Sequence, residues 1–276
     1  MTVPFSSIAV MVVDIVIGIL LPLCVSLYLK KKYNAKFKTF FVGVFTFVIF
    51  AYGLETVMHN LILGSSIGQT IIGNIFFYAL YGGLAAAVFE EGGRFIAFRY
   101  ILKDEKGDDS TALMYGAGHG GIEIILIMVA GMISNLIFTA AVNNGSIYDM
   151  IASIDIEQQG TYYQTITTLC TTPAWFFLLV LWERISAFVA HMCMSLLVFR
   201  AVKDNNNLYL LISFMFHLLL NASAVIFQNL VANYVAVEIF ITVVVIIMVV
   251  ITLKLVPLKL NKDEQSVVRQ TYYSKT

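Results

Sequence analysis

The sequence predicts an all-α, polytopic membrane bundle of about seven transmembrane helices, and three observations predict it. Hydrophobic residues make up 59% of the 276, charged residues only 12%, and mean hydropathy is +0.86, the composition of a chain whose main solvent is lipid. Apolar runs long enough to cross a hydrocarbon core of ~30 Å, which takes about 20 residues, recur from one end to the other. Lys and Arg then collect in every second connection between those runs, as cytoplasmic loops do.

Taken in order, the first run, 7–28, precedes the first basic residue, Lys30, so it lacks the basic n-region of a cleaved signal peptide and reads as a retained helix. The second and third, 39–63 and 69–98, are joined by a connection without Lys or Arg. The third, the fourth at 112–142 and the fifth at 174–199 exceed the minimum length, which implies tilt or protruding ends. The sixth and seventh follow at 208–228 and 233–256. Lys30, Lys31, Lys32, Lys36 and Lys38 follow span one; Arg99, Lys103 and Lys106 follow span three; Arg200 and Lys203 follow span five; Lys254, Lys259, Lys262, Arg269 and Lys275 end the chain. This alternation places the N-terminus outside and a C-terminal tail, 257–276, in the cytoplasm, with the chain in the plasma membrane. The outer loop 142–173 mixes apolar and polar residues and reads as a short amphipathic helix on the membrane face or as an ordered lid. With no repeat and no soluble linker, residues 1–276 form a single domain.

Composition also excludes partners. Net charge is zero and no basic face is present, so nucleic acid is not a partner and membrane lipid is. Cys24, Cys170 and Cys193 are an odd set without metal-type spacing and read as small buried hydrophobes.

Ionisable residues at membrane depth are costly and therefore candidates for function. Asp14, Glu55, His59, Glu90, Glu91, Arg94, His119, Glu123, Glu183, Arg184, His191 and His217 all fall inside spans. Glu90, His119, His191 and His217 each sit about seven to nine residues from the cytoplasmic end of their helix, or ~10–14 Å at 1.5 Å per residue. Four helices thus bring a polar residue to one level. Glu90 with Arg94, His119 with Glu123 and His217 with Asn221 are spaced i,i+4, which puts each pair on one helix face. Gly82, Gly83, Gly92 and Gly93 in span three and Gly116, Gly118, Gly120 and Gly121 in span four suit close helix approach, which would draw Glu90 toward His119. Glu55 with His59, and Glu183 with Arg184, lie nearer the outer half and read as structural pairs or the lining of an outer cavity. Asp14 stands alone.

Three histidines and a glutamate are the parts of a water-activating hydrolase. Imidazoles of His119, His191 and His217 suit Zn²⁺ with an open position for water; without metal, His and Asn groups stabilise the oxyanion, and in both cases Glu90 serves as general base. Arg94 is placed to hold Glu91 ionised. At these residues the sequence resembles a family. "EEGGR" (Glu90 to Arg94), "GAGHGGIE" around His119, the His191-bearing helix and "HLLLN" (His217 to Asn221) look like the four motifs of intramembrane proteases related to the type II CAAX prenyl endopeptidases, most closely the bacterial YhfC branch. The resemblance implies an intramembrane peptidase acting on a membrane-embedded or lipid-proximal peptide. It implies that Glu90 activates water, that His119, His217 and Asn221 bind or polarise the carbonyl, and that His191 completes the site. Two residues separate Glu91 from Arg94 where the prenyl endopeptidases have three, and Tyr115 stands where they have Phe. Two other classes remain in view: a proton-coupled transporter or channel using the same groups as a relay, and a non-catalytic membrane scaffold of the same fold.

Overall fold

The computed structural model describes residues 1–105, 107–153 and 155–261. Lys106, Lys262, Arg269, Lys275 and the tail beyond Asn261 lie outside the described residues. Within them the chain is all helical: α1 Phe5–Tyr33, α2 Phe37–Leu63, α3 Ser66–Ile72, α4 Ile75–Ile101, α5 Ser110–Asn144, α6 Ser146–Ala152, α7 Ile156–Thr171, α8 Ala174–Lys203, α9 Asn207–Leu230 and α10 Tyr234–Leu255. Six of these, α1, α2, α5, α8, α9 and α10, are long and apolar enough to cross a membrane, and α3 with α4 makes a seventh candidate. The chain is a multi-pass membrane protein.

The expected third span, continuous from Gln69, is instead broken. α3 and α4 meet at 110°, and each opens on a capping side chain of its own. Ser65 caps α3 by accepting from the Gly68 N–H, and Asn74, in an extended conformation, accepts from the N–H groups of Phe76 and Phe77 to open α4. Such caps satisfy donors that a helix start otherwise leaves without partners. The 142–173 connection carries two helices, α6 and α7, where one was expected. Gly145, at φ +85°, ends α5 in the left-handed conformation that favours glycine.

The chain forms two compact units. One comprises Met1–Leu21 and Glu123–Arg184. In it Val3 and Asn143 exchange hydrogen bonds of 2.7 and 3.2 Å, and Arg184 pairs with Glu123 at 2.8 Å and with Glu183. Asp14 is fully buried there with neither oxygen hydrogen-bonded among the described residues.

The other unit, Pro22–Ile122 and Ile185–Thr276, contains the polar residues of interest. Its apolar core packs Phe98, Leu102, Tyr115, Leu196, Leu197 and Phe199 together. α2 and α5 touch backbone to backbone: a methyl on Gly118 would strike the Phe40 carbonyl, and one on Gly43 the Tyr115 carbonyl. Gly82 and Gly92, expected as packing residues, face open space instead. Near the start of α5, Asp109 accepts Arg200 Nε at 2.8 Å, Arg200 Nη2 at 2.9 Å and the Lys259 N–H at 2.7 Å. This clasp ties the N-terminal end of α5 to α8 and to the segment after α10.

Candidate functional site

Glu90 and Glu91 lie on a π-helical turn, Ala87–Glu91, within α4. In an α-helix adjacent side chains diverge by about 100°, whereas the wider i→i+5 turn brings them closer in direction. Both carboxylates are buried. Arg94, one turn on, is also fully buried and donates to Glu91, to Glu90 at 3.5 Å and to His191 Nδ1. Arg94 thus contacts both carboxylates and, in addition, His191.

α5, α8 and α9 then supply one imidazole each. His119 is fully buried, with Nε2 2.8 Å from Glu90 Oε2. Its ring packs edge-on against Phe47 at 5.2 Å and over Tyr115 at 5.9 Å. His191 Nδ1 lies 3.8 Å from Glu90 Oε2, and His217 Nε2 lies 3.5 Å from Glu90 Oε1. Three histidines placed at the level of Glu90 by their depth in sequence thus meet around its carboxylate.

Hydrogen-bond chemistry distinguishes the three rings. A guanidinium only donates, so His191 Nδ1 accepts from Arg94 and a neutral His191 ring carries its proton on Nε2. Glu91 accepts from His217 Nδ1 at 2.8 Å, so a neutral His217 ring keeps its lone pair on Nε2, toward Glu90. With Nε2–H of His119 given to Glu90, its Nδ1 is buried without a hydrogen-bond partner among the described residues.

The structure also adds a residue to this group and places the other candidates. Ser213, which carried no signal beyond being a serine in an apolar helix, donates to Glu91 Oε2 at 2.6 Å. Asn221, one turn past His217, is half-buried and makes no hydrogen bond among the described residues. Glu123 pairs with Arg184. Glu55, His59 and Tyr81 form their own group, with His59 Nδ1 2.8 Å from the Tyr81 hydroxyl and Nε2 3.2 Å from Glu55.

For a metal, the donor set is compact and of the right type. One carboxylate oxygen of Glu90 and one ring nitrogen each of His119 and His191 lie within 4.8 Å of one another, all buried. Glu90 thus stands where the sequence suggested His217. Carboxylate and imidazole donors suit a divalent transition metal, so the residues fit one. The Arg94 bond to His191 Nδ1 is the feature a bound ion would have to accommodate.

Comparison with known proteins identifies the family. The model of the YhfC intramembrane metalloprotease family matches residues 17–241. An uncharacterized membrane protein, YhfC of Bacillus subtilis (strain 168), is 35% identical over 230 residues, covering 83% of this chain and 88% of that protein. No solved structure matches. The chain belongs to the YhfC intramembrane metalloprotease family.

Proposed function

We propose that this member of the YhfC family is an intramembrane peptidase that hydrolyses a peptide bond in or near the membrane at the Glu90 cluster. One observation carries the reading: a buried carboxylate with three imidazoles at 2.8, 3.8 and 3.5 Å, in a family described as metalloproteases.

In this reading Glu90, His119 and His191 hold a divalent ion, zinc being the match for mixed carboxylate and imidazole donors. Bound there, the ion supplies Lewis acidity and lowers the pKa of a bound water to about 7. His217 takes a proton at Nε2, because its Nδ1–H is committed to Glu91. Glu91 then faces the imidazolium so formed, while Arg94 and Ser213 keep that carboxylate in place. Asn221 offers its amide N–H groups to the carbonyl oxygen as charge develops on it.

A second reading uses the same residues without metal, and the Arg94 bond to His191 Nδ1 favours it. A neutral ring accepting there has no lone pair left on Nε2 for an ion. Glu90 then takes the proton of the attacking water, and the Nε2–H of His191 with the amide N–H groups of Asn221 stabilise the oxyanion.

Purified protein in proteoliposomes with a transmembrane peptide tests the activity, and elemental analysis separates the two readings. Cleavage with about one equivalent of zinc, lost in His119→Ala, supports the first. Cleavage indifferent to chelators and without stoichiometric metal supports the second. Proton flux without cleavage would replace both with a transporter. We also propose the orientation given by the basic residues, N-terminus outside. A cysteine placed at Asn144 should react with an impermeant reagent in intact cells, and labelling only after permeabilisation would reverse it.

A further inference from the structure

The structure assigns Ser213 as a positioning residue that acts through Glu91 to set the tautomer and aim of His217. The inference rests on the peptidase reading for its kinetic consequence but not for its geometry.

Ser213 is fully buried on α9, one turn before His217 on the same face. Its hydroxyl has one proton and two acceptors in reach: Glu91 Oε2 at 2.6 Å and the Met194 carbonyl at 3.3 Å. The shorter contact to a charged acceptor takes it. Glu91 is therefore held at both oxygens. Oε1 receives His217 Nδ1–H and Arg94, and Oε2 receives Ser213. The terminal torsion of a glutamate is broad and roughly two-fold, so donors on one oxygen alone leave the carboxylate plane free to roll. Ser213 stops that roll. Because one helix carries both the hydroxyl and the imidazole, the spacing between them is set by a single turn of α9. The consequence at the site is that His217 keeps its proton on Nδ1 and its Nε2 lone pair toward Glu90.

Partners that orient a site imidazole typically cost 10–100-fold when lost. Ser213→Ala should therefore lower kcat by about 10-fold with KM unchanged, and Ser213→Thr, which restores the hydroxyl, should recover most of it. The direct readout is the ring ¹⁵N spectrum of histidine-labelled protein. The chain has four histidines, and the His217 signals are assigned by their loss in His217→Gln. Wild type and Ser213→Thr should show a single Nδ1–H tautomer at His217, and Ser213→Ala a mixture. Should Ser213→Ala not fold, Ser213→Cys keeps the side chain with a poor donor and carries the same comparison. His217 signals identical in wild type and in a folded Ala or Cys variant overturn the assignment, as does a folded Ser213→Thr that behaves like Ser213→Ala. A wild type that cleaves nothing refutes the peptidase reading, and the nitrogen signals still decide the role of Ser213.

Discussion

The Asp109–Arg200 clasp and the Glu90 cluster are both buried and both lie between α5 and α8, ten residues apart along α5, or ~15 Å at 1.5 Å per residue. They differ in how fully their charges are matched. In the clasp, both Asp109 oxygens are taken by the planar fork of Arg200 at 2.8 and 2.9 Å, and the Lys259 N–H adds a third bond at 2.7 Å. In the cluster, Glu90 has one short contact, at 2.8 Å to His119, with further groups at 3.5 to 3.8 Å. His119 Nδ1 and Arg94 Nε are buried without hydrogen bonds among the described residues. Saturated ion pairs hold a structure together, whereas buried polar groups left partly matched are costly and persist where chemistry uses them. The Glu91 side of the cluster resembles the clasp, with donors on both oxygens, which suits a supporting carboxylate.

Substitutions should separate the two regions. The largest effect is expected at the cluster: His217→Gln should lower cleavage per folded molecule by about 10²–10⁴-fold, the usual contribution of a proton-transfer group, with little change in the thermal midpoint. Next comes Arg200→Met, which strands Asp109. It should cost about 3–5 kcal/mol of stability, measured by unfolding in detergent, while the cleavage rate per folded molecule stays at the wild-type value. Smallest is Tyr81→Phe, which removes one hydrogen bond from the partly buried Glu55–His59 group. A cost of about 0.5–1.5 kcal/mol and unchanged cleavage are expected, and a large loss of cleavage there would extend the reactive region beyond Glu90.

Much of this contrast could be read from the sequence, because depth along a helix and i,i+4 spacing are properties of residue number. They bring Glu90, His119, His191 and His217 to one level, and Arg94 onto the helix face of Glu90. What could not be read depends on backbone geometry or on pairs distant in sequence. The π-turn that turns Glu90 and Glu91 inward together has no compositional signature. Ser213 meets Glu91 across 122 positions, and a serine in an apolar helix more often bonds its own backbone. By sequence Arg200 is only a charge at a helix end, since Asp109 lies 91 residues away. The break between α3 and α4 has a signal in the sequence, since Gly73–Asn74 before an apolar run is a cap signal, but the length of the apolar run masks it. Gly82 and Gly92 show the opposite failure, since glycine marks close packing only where a neighbour arrives.

The central claim is that the incompletely matched carboxylate is the reactive one. Its most direct test measures cleavage and unfolding side by side for Glu90→Gln, which keeps the shape of the side chain and removes its charge. The account predicts that cleavage is lost while stability is unchanged or raised, because functional sites are commonly held at a cost in stability. Wild-type cleavage, or a variant that loses cleavage only because it unfolds, would contradict it.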